Sequence, residues 1–346
     1  MVRSIIMPLT FDMDFEALKT YQGTNPRPVD FDQYWVEALR ELDHIKADVQ
    51  MVPASQKAPG GQGPEPDFAA YYDLYFTGVG GSRIYAKLIQ PLGSAAQRRA
   101  SSNGKGPAIL QFHGYSMNSG DWQSRLGLAA AGFTVAAMDC RGQGGRSEDR
   151  SSVRGNTLNG HIIRGLEDAL EGRPEGFLYR SIFLDAVQLA RIVMALDWVD
   201  PDRVGATGWS QGGGLTLACA ALEPHIARAA PVYPFLSDYK RVWEIDLAKD
   251  AYVELQDYFR RFDPLHERET QVFTALGYID VQHLAPRIKG EVLQAIGLMD
   301  TICPPSSQFA AYNKIAAPKR YLLYPDFGHE DLPGLHDHIL DFMCDL

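Results

Sequence analysis

The sequence predicts an α/β fold built on a mostly parallel central sheet flanked by helices, and three observations carry that prediction. From about residue 108 onward, short apolar and β-branched runs alternate with helical ones, the pattern of consecutive βα units. One strand-to-helix switch carries Gly208-Trp209-Ser210-Gln211-Gly212, a G-x-S-x-G sequence set between the apolar run 203–207 and the helix-like run 215–222. Finally, 45% hydrophobic and 22% charged residues in a chain of 346 are enough to fill a core under such a sheet.

Taken in order, the first fifty residues read as an extended arm and then a helix over 31–45, where Tyr34, Trp35, Ala38, Leu39 and Leu42 recur at helical spacing. Residues 53–66 are rich in Pro and Gly and are expected to form a loop. Strand-like runs at 71–76 and 83–89, separated by Gly78-Val79-Gly80-Gly81, predict a hairpin. The polar stretch 93–106 reads as a mobile surface loop. Strands are then expected at 108–112, 133–138, 204–207, 226–233, 291–296 and 320–324. Helices are expected to end near 127–131, to run over 182–199 as a long amphipathic element, and to close the chain at 335–343.

Residues 239–288 break this rhythm with helical, charged and aromatic segments. An insertion there, ahead of the next strand, would lie over the carboxyl ends of the strands, where open α/β sheets bind ligands. Tyr252, Tyr258, Phe259 and Phe262 within it suit either a ligand pocket or, more simply, a hydrophobic core. With no internal repeats and no second linker-bounded unit, residues 1–346 read as a single catalytic domain with a decorated top.

Charge and composition exclude several partners. Lys plus Arg is 33 against 43 Asp plus Glu, a net charge of −10, which would repel nucleic acid and anionic membrane surfaces. No apolar run reaches the ~18 residues needed to span a bilayer. The short apolar stretch at the N-terminus runs into Asp12, Asp14 and Glu16, which argues against a secretory signal. Cys140, Cys219, Cys303 and Cys344 lie far apart with no C-x-x-C pair, as in a cytosolic protein with reduced thiols. No H-E-x-x-H, Cys/His cluster or phosphate-loop G-x-x-x-x-G-K-[ST] is present, so neither metal nor cofactor is expected.

The chemistry is expected at Ser210. A serine on a tight strand-to-helix turn needs glycines two before and two after it, and the following helix aims free N–H groups at an oxyanion forming there. Its hydroxyl is a poor nucleophile until a base takes the proton, and the chain order in this arrangement is serine, acid, histidine. Of the six histidines after Ser210, only His329 falls in a short loop directly after the last strand; His336 and His338 lie on the final helix. Asp300 follows the 291–296 strand and is the expected acid, a role compatible with capping the turn before Pro304-Pro305. Asp326 is the rival but shares the loop of His329, and Glu330 reads as structural.

Two backbone N–H groups are the expected oxyanion donors: that of Gln211, after the nucleophile, and that of Tyr115 in the His113-Gly114-Tyr115 loop. His113 is expected to pack and hydrogen-bond within that loop. Arg141-Gly142-Gln143-Gly144-Gly145 reads as a loop beside the site, with Arg141 in a buried ion pair.

Together these residues resemble the acetyl xylan esterase / cephalosporin C deacetylase family, carbohydrate esterase family seven. Its three ordered motifs, R-G-Q, G-x-S-Q-G and H-E, stand here as Arg141-Gly142-Gln143, Gly208-Trp209-Ser210-Gln211-Gly212 and His329-Glu330. The likeness extends over Leu298 to Pro305, the His113-Gly114-Tyr115 loop and the N-terminal helix with Tyr34-Trp35. It implies an α/β-hydrolase fold and removal of short acyl groups, chiefly acetyl, from xylo-oligosaccharides and cephalosporin C. Ser210 would then be nucleophile, Asp300 acid and His329 base. It also implies an intracellular enzyme assembled as a ring-like hexamer with inward-facing pockets, open only to small-molecule substrates. Trp209 departs from the small residue common at that position, so it either packs under the sheet or alters the pocket wall. The 53–66 and 93–106 loops look longer than the family's own. The same triad order also serves general short-chain carboxylesterases and oligopeptidases or acyl-amidases, and a non-catalytic binding protein could keep the fold.

Overall fold

A computed structural model describes residues 11–54, 67–153 and 160–346. The N-terminal stretch weighed as a signal therefore lies outside the described residues down to Thr10, as does the expected 53–66 loop beyond Ala54.

Among the described residues nine strands form one sheet in the order β1-β2-β3-β5-β4-β6-β7-β8-β9. They are β1 (Gln50–Pro53), β2 (Ala69–Thr77), β3 (Arg83–Pro91), β4 (Gly106–Phe112), β5 (Thr134–Met138), β6 (Val199–Trp209), β7 (Ile226–Val232), β8 (Glu291–Gly297) and β9 (Lys319–Tyr324). The first three strands pair antiparallel, and β3 meets β5 antiparallel as well. Every pairing from β5 across to β9 is parallel. The residues explain the division. β5 is buried at all five positions, as a strand covered on both faces must be, whereas β2 alternates buried and half-buried side chains.

The helix Gln211–Leu222 is buried along its whole length, which suits its apolar circumference. Leu178–Met194 lies beside it and buries most of its own residues. The N-terminal helix Phe31–Asp43 docks through Trp35, whose indole stacks on Phe183 at 5.8 Å and donates to the Tyr278 carbonyl.

Two expected elements shift. The long helix covers 178–194 rather than 182–199, because Val199 pairs with Gly106 on β4 and so starts β6. Part of the expected 93–106 loop is the helix Gly93–Gln97, where Ala95 and Ala96 favour a turn of helix.

The insertion is helical, with Tyr239–Glu244, Val253–Phe262 and Glu269–Leu276 as its principal pieces. Tyr252, Tyr258 and Phe259 are core residues, and Phe259 packs on Trp243 and Phe273; of the four aromatics named above only Phe262 is exposed. The N-terminal arm is strapped to this region by buried carboxylates. Asp238 accepts from the backbone of Thr24 and Asn25 and from the Tyr21 phenol, and Asp12 pairs with Arg241 at 2.7 Å.

Candidate active site

β6 delivers Ser210 to the carboxyl edge of the sheet in a backbone conformation that few side chains adopt, φ 56° and ψ −121°. Such a residue carries about 1–3 kcal/mol of strain and persists only where its surroundings impose it. Here the imposition is steric and hydrogen-bonded. A Cβ on Gly208 would lie 2.5 Å from the Phe112 carbonyl oxygen, and one on Gly212 would lie 2.1 Å from it. The Ser210 N–H donates to Val232 on β7, and its carbonyl accepts from Gly214 and Phe235. The side chain is 6% exposed, at the floor of a cavity of about 560 Å³. That volume suits a small ligand or group.

Asp300 follows β8 and is fully buried. Its Oδ1 accepts from the backbone N–H of Ile302 and Cys303 at 2.9 and 2.8 Å, so it does cap the turn. Its Oδ2 is thereby left facing His329, whose Nδ1 stands 2.9 Å away across 29 residues of sequence. The two loops are tied by backbone bonds, Leu298 donating to Tyr324 and Met299 to Phe327. Asp326 is exposed, and Glu330 turns back to accept from the Gly328 N–H at 3.0 Å.

Sequence reasoning missed two neighbours of this pair. Tyr233 lays its ring 4.4 Å from the His329 imidazole. Cys303 is buried next to Asp300 and His329, and burial pushes its thiol pKa well up. The Cys303 sulfur, an Asp300 oxygen and a His329 nitrogen all lie within 4.8 Å of one another, a set of metal-ligand types. Two of the three are already joined by the His329–Asp300 bond.

Of the residues expected to supply the oxyanion donors, Gln211 follows Ser210 directly and Tyr115 lines the same cavity. Gln211 opens its helix, so its N–H is one of those with no acceptor inside the helix. Tyr115 lies in the loop after β4 and lines the same cavity as Ser210 and His329. A polar network joins Gln211 to Ser116, the residue after Tyr115. The side-chain amides of Gln143 and Gln211 exchange hydrogen bonds at 2.8 and 3.1 Å, and Gln143 Oε1 also accepts from the Ser116 N–H. Tyr179, which no motif marks, donates its phenol to Gln211 Oε1 at 2.7 Å. His113 holds the loop as expected: Nδ1 faces the Gly114 carbonyl, and Nε2 accepts from the Cys140 N–H at 2.9 Å. Burial lowers its pKa, which keeps it neutral and able to accept.

Arg141 lies away from the cavity. Its guanidinium forks onto Asp185 with two contacts of 2.7 Å and donates to the Val79 carbonyl, which clamps the 141–145 loop to the helix Leu178–Met194. Trp209 is 45% exposed and forms part of the cavity wall rather than packing under the sheet.

Comparison with known proteins identifies the family. Residues 7–346 match the family model described as acetyl xylan esterase. Acetyl xylan esterase 1 from Thermoanaerobacterium sp. JW/SL YS485 superposes with a TM-score of 0.89 at 55% identity, covering 96% of this chain and 99% of that one. An acetyl xylan esterase from Paenibacillus sp. R4 gives 0.86 at 34% identity, with the same coverage. The acetyl esterase Axe7A of Xylanibacter ruminicola is 25% identical over 90% of this chain, which spans 64% of that relative's length. The chain belongs to the acetyl xylan esterase family, carboxylic ester hydrolases of the α/β-hydrolase fold.

Proposed function

We propose that this chain is a serine esterase that removes acetyl groups from small acetylated carbohydrates such as xylo-oligosaccharides. The observation that carries the reading is the His329–Asp300 bond of 2.9 Å beside a strained Ser210 at the floor of a small cavity.

In this reading His329, held by Asp300 at Nδ1, takes the Ser210 hydroxyl proton at Nε2 as the oxygen attacks the acetyl carbonyl carbon. The carbonyl oxygen becomes an oxyanion facing the N–H groups of Gln211 and Tyr115. Collapse breaks the ester C–O bond, and His329 gives its proton to the departing sugar hydroxyl. Water, deprotonated by the same imidazole, then releases acetate from the acetyl-enzyme. Family likeness extends the proposal to cephalosporin C-type esters, an intracellular location, a single catalytic domain and a ring-like hexamer. No described helix is long and apolar enough to cross a membrane.

Initial rates on p-nitrophenyl acetate, butyrate and octanoate, beside acetylated xylobiose and an aminoacyl anilide, test the substrate class. A steep preference for acetate, with acetic acid released from the sugar, is the expected result. Rates that rise with chain length would make the enzyme a general carboxylesterase. Activity confined to the anilide would make it a peptidase with the same triad.

A further inference from the structure

Glu254 sits on the insertion helix Val253–Phe262, outside the cavity, yet its carboxylate is only 2% exposed. A buried carboxylate needs donors at both oxygens, and the chain provides four. Oε1 accepts from the Tyr115 phenol and from the His161 N–H at 3.2 Å. Oε2 accepts from the backbone N–H of Ile162 and Ile163 at 2.7 and 2.9 Å. The approach is tight enough that a Cβ on Gly160, at φ +115°, would come 2.3 Å from Oε2. Burial nevertheless pushes the Glu254 pKa up to about 7, so the donors only partly offset its desolvation.

One of those four donors is the phenol of Tyr115, whose peptide N–H is an oxyanion donor in the esterase reading. The Tyr115 ring is gripped from several sides: the phenol also accepts from the His161 N–H at 3.0 Å, and the ring packs on His161 at 4.8 Å and edge-on to Phe235 at 5.6 Å. Phe235 in turn donates its N–H to the Ser210 carbonyl. On the far side of the turn Ser116, at φ 58°, is tied to Gln143 through its N–H and to His161 through its hydroxyl. With the ring and the next residue both anchored, little freedom remains for the Tyr115 peptide plane.

We propose that Glu254 is a positioning residue of the hydrolytic site, which clamps the Tyr115 phenol to the 161–163 backbone and so aims the Tyr115 N–H at the oxyanion. The inference rests on the esterase reading above, with Tyr115 as one of its two donors. It ties the insertion to the chemistry, because one of its side chains sets the geometry of the loop that follows β4.

The test compares Glu254→Gln, Tyr115→Phe and the double variant on p-nitrophenyl acetate, with thermal melts to confirm folding. Misplacing one oxyanion donor, short of losing it, should lower kcat by about ten- to a hundredfold with KM little changed. Inhibition by a small boronic acid, whose tetrahedral adduct places an oxygen at the oxyanion position, should weaken by a similar factor. Because both side chains act through one bond, the double variant should be no slower than the slower single one. Tyr115→Phe removes only a phenol oxygen, so it still reports if Glu254→Gln fails to fold. Unchanged kcat in either folded variant, or single effects that multiply, would overturn the proposal. A parent enzyme without acetylesterase activity would instead overturn the esterase reading itself.

Discussion

The two sides of the cavity are built by different means. On one side Ser210, Asp300 and His329 hang from the carboxyl ends of β6, β8 and β9, three strands joined by parallel ladders through β7. Their positions follow from backbone pairing, two glycines under Ser210 and one carboxylate that serves two loops. On the other side the Tyr115 turn is held by side chains: Glu254 from the insertion takes the Tyr115 phenol, and Gln143 from the loop after β5 holds the N–H of the next residue, Ser116, and links it to Gln211 and Tyr179. Backbone ladders tolerate most side-chain changes. A buried polar network does not, because each member left unpaired bears its own desolvation cost of about 1–3 kcal/mol. The strand side is thus expected to lose chemistry without losing the fold, and the network side to lose both by degrees.

Ser210→Ala is the sharpest test of that contrast. It should reduce kcat by about a millionfold while leaving the thermal midpoint close to the parent's, since Ala keeps the turn and removes only an oxygen. A large loss of stability would show that the strand side is not independent of its side chains; surviving turnover would show that the nucleophile lies elsewhere. Asp300→Asn comes next. Asn keeps an acceptor for Ile302 and Cys303 but presents the wrong partner to His329 Nδ1, so a fall of about ten-thousandfold in kcat with an intact melt is expected.

Arg141→Met moves the test beneath the site. The Arg141–Asp185 pair is almost completely buried, and removing one partner leaves an uncompensated charge. A loss of about 3–5 kcal/mol in urea unfolding is expected, and Arg141→Met with Asp185→Leu should recover much of it. Failure of the double variant to recover would mean that the pair also fixes the 141–145 loop in a way that apolar packing cannot.

The smallest effect is expected in the insertion. Burial, aided by the nearby Lys314 charge, depresses the pKa of His283 from 6.5 to about 3. Between those values the unfolded chain binds a proton that the folded chain refuses. The stability held above pH 6.5 is therefore lost progressively as pH falls toward 3. His283→Asn removes that dependence, so its thermal midpoint should decline less steeply than the parent's from pH 7 to pH 5. Parallel curves would show that His283 does not distinguish the two sides.

Much of this can be read along the chain because it depends on neighbours in sequence. The Gly-x-Ser-x-Gly turn, the alternation of strands and helices, and a histidine in the loop after the last strand are local patterns with local causes. Local signals mislead where another feature overrides them, as at Val199, which pairs with Gly106 on β4, and in the 93–97 segment, whose polar surroundings mask a helical turn.

What the sequence by itself determined is the order and type of the reacting groups: a serine on a turn only glycines permit, an acid after one strand and a histidine after the next. The tertiary structure alone decided that Tyr179 reaches Gln211, that Cys303 lies beside Asp300 and His329, that Trp209 lines the cavity, and that Glu254 holds Tyr115 across 139 residues. Periodicity and turn chemistry act within a few residues. Satisfying a buried carboxylate depends on whichever donors the finished fold brings within about 3 Å of it.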